Sequence, residues 1–303
     1  MADFSDATRL LDKESALMEQ IKQAVDRAKA GATSERLHPM ATPGENIEPP
    51  SPMLAPLRPV HEAEPSINRA DVASNRTSVT LDWSHLERHR IVSHNVTDPR
   101  AKTFHMLRTQ LLQAMDQKKW QFLAVTSPTP GCGKTVTAIN LALSIARQPG
   151  RSALLIDMDL QRPAVAKYLG IKCRQGLHGV LEGRTRMVDA VVRAHADCEL
   201  MVLPAEAATL RSSELLASRT MDVMLQDIRR TFKSQTVIFD MPPLLSGDDV
   251  LATLPRIDCV LLVTAVGVST LHEIKECNRH LQSAEVVRVV LNKAQEPTAR
   301  YYY

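Results

Sequence analysis

Hydrophobic and polar positions change their rhythm along the chain. Between residues 6 and 30, Leu10, Leu11, Leu17, Met18, Ile21 and Val25 recur at roughly helical spacing among charged neighbours, which predicts one amphipathic helix over 1–30. From 31 to 78 the periodicity vanishes and prolines accumulate (Pro39, Pro43, Pro49, Pro50, Pro52, Pro56, Pro59, Pro65). Such a composition buries too little apolar surface to offset chain entropy and reads as a disordered linker. Order resumes over 79–292. A short strand and a short helix carrying Trp83 and Leu86 come first, then a helix through Phe104, Leu107, Leu111, Leu112 and Met115, then a strand starting at Trp120. Near-continuous Val/Ile/Leu runs follow at 152–160, 199–204, 235–243, 259–266 and 286–292, separated by helical patterns at 187–193, 213–232 and 270–282. Apolar strands alternating with helices predict an α/β fold, a parallel sheet covered on both faces, with any ligand outside the carboxyl ends of the strands.

Composition narrows the setting. With 303 residues and 44% hydrophobic content the chain can form an ordinary core, and a net charge of +3, evenly mixed, argues against nucleic acid as a partner. Cys132, Cys173, Cys198, Cys259 and Cys277 have no CxxC or His-linked ligand spacing, so free thiols in a reduced compartment are expected. The acidic start MADFSDATRL does not resemble a signal peptide, and no apolar run approaches bilayer length. The expected location is cytoplasmic, peripheral at the inner face of the membrane through a partner.

The chemistry concentrates in Ser127–Ala142, SPTPGCGKTVTAINLA. Gly131 and Gly133 permit a tight turn that aims successive N–H groups, and the N-terminus of the following helix (Val136, Ile139, Leu141, Leu143, Ile145), at phosphate oxygens. Lys134 supplies a point charge for the β- and γ-phosphates and Thr135 a hydroxyl for Mg²⁺. The pattern GxxxxGK[ST] fails at its first position, where Pro128 stands, but the strand, glycine turn and apolar helix are the context the motif requires. Cys132 lies within the loop beside the helix N-terminus; a redox role is possible in principle there, and an incidental one is expected.

Carboxylates stand at two strand ends. LLIDMDL places Asp157 and Asp159 two residues apart, on one face if the strand is still extended, and VIFDMPP ends in Asp240. A metal–triphosphate complex needs such groups beside the loop Lys and Thr.

From about Val79 onward the chain resembles the bacterial tyrosine kinases (BY-kinases), autokinases associated with capsule and exopolysaccharide export. The loop, LLIDMDL and VIFDMPP are similar to their Walker A, A′ and B motifs, and GLHGVLEG, SELLAS, Asp248/Asp249, VVLN and the final Tyr301, Tyr302 and Tyr303 agree. The resemblance implies a P-loop ATP-dependent protein-tyrosine kinase. ATP phosphates would bind Gly131, Cys132, Gly133, Lys134, Thr135 and Val136, and Asn292 would lie near the adenine. Mg²⁺ would be organised by Thr135, Asp159 and Asp240, with Asp157 as base and the tyrosines of tail 293–303 as acceptors in trans. Implied partners are further copies of the chain, a tyrosine phosphatase, and a Wzz-like membrane polysaccharide co-polymerase whose cytoplasmic tail activates the kinase.

The tyrosine cluster is shorter than the spread of tyrosines in many relatives, and the sequence departs from the family at two further places. Gln161 occupies the position of an Arg, followed by Arg162, and the ring-forming ExxRxxR is replaced by Lys102, His105 and Arg108. Two rival readings stay open. A ParA/MinD-type ATPase would carry a lysine at position 129, where this chain has Thr129; an ATP-binding regulatory adaptor with weak kinase activity would fit the altered ring motif.

Overall fold

The computed structural model describes residues 77–232, 235–282 and 284–294. The expected N-terminal helix, all but the end of the proline-rich segment, and the tyrosine tail lie outside them.

In chain order the elements are β1 (Ser78–Thr80), α1 (Trp83–Arg88), α2 (Ala101–Lys118), β2 (Phe122–Thr126), α3 (Lys134–Ala146), β3 (Ala153–Asp157), α4 (Val165–Leu169), α5 (Leu177–Leu181), α6 (Met187–Ala190), β4 (Val192–Ala196), β5 (Cys198–Leu203), α7 (Ser212–Leu216), α8 (Arg219–Thr231), β6 (Thr236–Asp240), α9 (Asp249–Thr253), β7 (Cys259–Ala265), α10 (Leu271–His280) and β8 (Val286–Asn292). They form one eight-stranded sheet in the order β1-β4-β5-β3-β6-β2-β7-β8. Every neighbouring pair is parallel except β4 and β5.

The central strands are buried on both faces, and their side chains divide with period two, as a pleated strand requires. Leu123, Val125, Leu155, Ile238, Leu261 and Val263 join one core with Leu111 and Met115 of α2 and Ile139 and Leu143 of α3. Phe122, Ala124, Leu154, Ile156, Phe239 and Leu262 join the other with Met221, Leu225 and Ile228 of α8 and Cys277 of α10. The rings of Phe122 and Phe239 meet edge to face at 5.3 Å, and the guanidinium of Arg229 covers Phe122 at 3.8 Å, sealing the strand start.

Three expectations are corrected. The pattern at 187–193 is not one helix: α6 ends at Ala190, and Val192 opens β4, which runs antiparallel to β5. β-Branched Val191 and Val192 suit a strand; the antiparallel pairing with β5 is a local hairpin, whereas the pairing with β1 is non-local. The pattern 213–232 is two helices, because Ser218 adopts an extended backbone and caps α8 by accepting from Met221 N. Trp120 precedes the first core strand, which begins at Phe122. The helix expected near 270–282 is α10, closed at its start by a Thr270–Glu273 capping box.

Candidate functional site

The ends of β2, β3 and β6 deliver the site. Between β2 and α3 the chain turns through Gly131 (φ 83°) and Gly133 (φ 91°), a left-handed backbone that glycine adopts without a Cβ penalty. At Gly133 space forbids a larger residue as well, since a Cβ would lie 2.3 Å from Asn292 Nδ2. Gly133 is the N-cap of α3 and offers no side chain to the first amides, so those donors face the loop's concavity. Pro242 and Pro243 close over the turn: Thr126 Oγ1 donates to Pro242 O at 2.7 Å, Leu244 N to Ser127 O at 2.8 Å and Leu245 N to Pro128 O at 3.1 Å.

Four of the expected side chains converge. Lys134 Nζ donates to Asp159 Oδ2 at 2.8 Å and lies 3.7 Å from Asp240 Oδ1. Thr135 Oγ1 donates to Asp240 Oδ2 at 2.7 Å. Burial works against the charge of Lys134, yet Asp240 and Asp159 outweigh it and raise its pKa above the ordinary range. Burial raises the Asp240 carboxyl, against the pull of Lys134 and Thr135. Asp240 Oδ1 has no hydrogen-bond donor. Two carboxylates and a hydroxyl around an ammonium form a set of hard oxygens suited to a small divalent cation.

Asp157 is placed differently. Its strand ends there, and its Oδ2 accepts from Ala164 N and Val165 N, both at 2.9 Å, fastening the start of α4. Oδ1 is buried without a partner, and the residue stands opposite Asp240 in the β3–β6 register. Burial first, then the charge of Asp240, push its pKa up to about 7. Asp157 is not among the residues lining the cavity, whereas Asp159 is, so the strand does not carry both carboxylates to one surface.

Asn292, at the end of β8, braces the loop: its Nδ2 donates to Cys132 O at 2.9 Å. The Cys132 side chain is fully buried, with Sγ 3.2 Å from Thr129 O and 3.3 Å from Ser269 Oγ, so only its backbone belongs to the loop surface. Val136 lines the cavity. Gln161 Nε2 donates to Ser212 Oγ and to Asp249 Oδ2, each at 3.0 Å, and Ser212 Oγ donates onward to Asp249 at 2.9 Å. Burial raises the Asp249 carboxyl above its usual range, against the hydrogen bonds from Ser212 and Gln161. Tyr301, Tyr302 and Tyr303 lie outside the described residues.

The substituted ring motif is used within the chain. His105 Nδ1 meets Ser144 Oγ at 2.8 Å, and Arg108 Nη1 donates to Ser144 O at 3.1 Å, so both side chains pin α2 to the loop helix, while Lys102 is exposed.

One wall went unread in the sequence. The turn after α1 brings Arg88, His89 and Arg90 to the same cavity of ≈540 Å³ as Gly131, Lys134, Thr135, Asp159, Arg162 and Tyr168. Asn140, fully buried in α3, holds it there. Its Oδ1 accepts from Val92 N and Ser93 N at 2.8 and 2.9 Å, and its Nδ2 donates to Arg90 O at 3.0 Å and Val136 O at 2.9 Å. The signal was an amide standing in the apolar stripe of TAINLALSIA, because a buried Asn demands partners; which partners, the sequence does not say.

The family model for the CobQ/CobB/MinD/ParA nucleotide binding domain matches residues 123–302. A putative tyrosine-protein kinase, EpsB of Ralstonia solanacearum, is 38% identical over 210 residues, which are 68% of this chain and 27% of EpsB. The tyrosine-protein kinase CpsD of Streptococcus pneumoniae serotype 4 is 30% identical over 191 residues, 60% of this chain and 80% of CpsD. Among solved structures, the BceF tyrosine kinase domain superposes with a TM-score of 0.61 at 25% identity, covering 75% of this chain and 96% of that one. The chain thus spans about a quarter of the length of EpsB and most of CpsD.

Proposed function

The chain belongs to the CobQ/CobB/MinD/ParA nucleotide-binding family and, within it, to the bacterial tyrosine kinases; from that membership we propose that it transfers the γ-phosphate of ATP to tyrosine, its own C-terminal cluster first. The observation that carries the reading is the convergence of Lys134, Thr135, Asp159 and Asp240 at the N-terminus of α3.

In this reading Lys134 exchanges its bond to Asp159 for the β- and γ-phosphates, and the amides of Gly131 to Thr135 bind the remaining oxygens. Thr135, Asp159 and Asp240 would hold Mg²⁺, and the undonated Asp240 Oδ1 fits a cation ligand. A cation held there would supply charge neutralisation for the transferred group. The acceptor oxygen would attack the γ-phosphorus as the bond to the β-phosphate oxygen breaks, and the tyrosine proton would pass to Asp157 Oδ1 once substrate binding opens a path to it, since Asp157 is buried behind the cavity lining. A carboxyl near 7 is tuned for that task at neutral pH. Asn292 sets the loop's position beside the adenine end.

The setting we propose is capsule or exopolysaccharide export. There the kinase would be a cytoplasmic homo-oligomer recruited and activated by the tail of a membrane co-polymerase, with a tyrosine phosphatase reversing its modification. Among the described residues no helix is long and apolar enough to cross a membrane.

The test is purified protein incubated with ATP and Mg²⁺ and blotted for phosphotyrosine, beside Lys134→Met. Signal in the wild type alone supports the proposal. Absence of signal with normal ATP binding, also after a co-polymerase tail is added, would refute it in favour of an adaptor.

A further inference from the structure

The wall formed by the turn after α1 has no part in the scheme above, and its chemistry points to a ligand. Arg88 and Arg90 are exposed, line the cavity, and have no carboxylate partner among the described residues. Arg162, on the loop following Asp159, is in the same situation. Several arginines elsewhere pair with an acid, Arg100 with Asp98, Arg151 with Asp116, Arg211 with Glu214 and Arg279 with Glu276, whereas here three unpaired ones converge on one cavity. Here the two carboxylates lining the cavity are already engaged, Asp159 by Lys134 and Asp249 by Gln161 and Ser212.

An aromatic pair lines the same cavity. His89 meets Tyr168 edge to face, with ring centroids 5.3 Å apart. The His89 ring is held and linked to the helix of Tyr168: His89 Nδ1 is 2.9 Å from His85 O, and His85 Nε2 is 2.9 Å from Lys167 O on that helix. Arg90 takes a left-handed backbone (φ 61°), and the turn is fixed to the loop helix through Asn140. The wall is therefore anchored at its backbone and leaves its guanidinium groups free.

We propose that this wall is a phosphotyrosine subsite, with Arg88, Arg90 and Arg162 receiving the phosphate and the His89–Tyr168 pair receiving the ring, and that its occupant is the phosphorylated C-terminal segment of this chain. Guanidinium groups bind phosphate through charge-assisted, often bidentate hydrogen bonds, and ring edges and faces beside them suit an aromatic bearer. The occupant follows from the sequence, which ends Arg300, Tyr301, Tyr302, Tyr303. At about 3.3–3.6 Å per residue, a phosphotyrosine seated in the subsite brings the next tyrosines within roughly 7 Å of it in the same cavity. The first phosphate transferred thus becomes the anchor for the second, so the cluster is modified in succession rather than at random. This inference rests on the kinase reading.

The experiment uses the full chain saturated with ADP and Mg²⁺, so that no transfer occurs, and labelled peptides of sequence AQEPTARYYY. One is unmodified, one carries phosphate on the middle tyrosine, and one carries that phosphate and a C-terminal amide. The phosphopeptide is expected to bind at least ~10-fold more tightly than the unmodified one, the worth of one or two charged hydrogen bonds, and the amidated form equally well. Arg88→Glu and Arg162→Glu should each reduce that preference below about 2-fold, while affinity for a fluorescent ADP analogue, which also reports an intact fold, stays unchanged. No phosphate preference, a preference that survives both charge reversals, or a preference lost on amidation, which would assign the site to the terminal carboxylate, each overturns the proposal. So does loss of ADP affinity in step with peptide affinity, which would give the arginines to the nucleotide. The phosphotyrosine blot reads the kinase assignment separately: a chain that phosphorylates itself yet ignores phosphopeptides loses only the subsite.

Discussion

The floor and the wall of the cavity each present basic side chains, yet they are built on opposite principles. On the floor Lys134 is largely buried, with a side-chain exposure of 12%, and sits among carboxylates that are 7% exposed or less. There the ammonium lies within hydrogen-bonding or ion-pair distance of both carboxyls. On the wall Arg88, Arg90 and Arg162 stand exposed without an acid partner among the described residues, and the backbone at Arg90 is fixed through Asn140. A buried charge is tolerated only when it is paired, so the floor must carry its own counterions and release them when a ligand arrives. An exposed arginine has no such constraint and can wait for its anion in water. The floor therefore resists salt, and the wall should feel it.

Removing the floor's cation should produce the largest effect. Lys134→Met is expected to lower autophosphorylation by ~10³-fold, the scale of losing one strong electrostatic contact to the transition state, as read by phosphotyrosine blot or radiolabel transfer. The floor's base comes next: Asp157→Asn should lower transfer by ~10²-fold or more while nucleotide still binds. If nucleotide binding falls as far as transfer, the base role is wrong.

The same variant has a second readout. Burial and Asp240 hold the Asp157 carboxyl near 7 in the folded protein, against 3.8 for its ordinary value. The stability it contributes is therefore full below about pH 4 and is lost as the pH rises through 7. Asp157→Asn removes that loss, so in magnesium-free buffer its melting temperature should gain on the wild type from pH 5 to pH 8. A gap that does not change with pH would place the proton elsewhere.

The wall is best broken from beneath. Asn140→Ala leaves two amides (Val92, Ser93) and one carbonyl (Arg90) of the segment after α1 without their side-chain partner and should cost about 2–4 kcal/mol, measured by urea unfolding, with earlier proteolytic cleavage around residues 88–93. The smallest effect is expected at the brace: Asn292→Ala removes one neutral hydrogen bond to the loop, about 1 kcal/mol, or roughly a 5-fold loss in ADP affinity by titration.

Much of the floor was legible because its signals are local. GCGKT lies between an apolar strand and an apolar helix, and Asp159 and Asp240 follow strands whose direction places them at the same edge. Asp157 shows the limit of that reasoning: an i, i+2 spacing implies a shared face only while the strand lasts, and β3 stops at Asp157. Residues 187–193 show it again, since β4 lies between β1 and β5 and is paired on both sides.

By itself the sequence determined the alternation of strands and helices, the two buried faces of the sheet and the phosphate loop, because hydrophobic period and glycine placement act over a few residues. Tertiary structure alone decided which carboxylate reaches the cavity, that His105 and Arg108 serve Ser144 inside the chain, and that Asn140 draws the Arg88–Arg90 turn to the mouth of the site. These contacts join residues 36 to 50 positions apart. At that distance propensity carries no information, and only the packing of α1, α2 and α4 around the loop helix selects the partner.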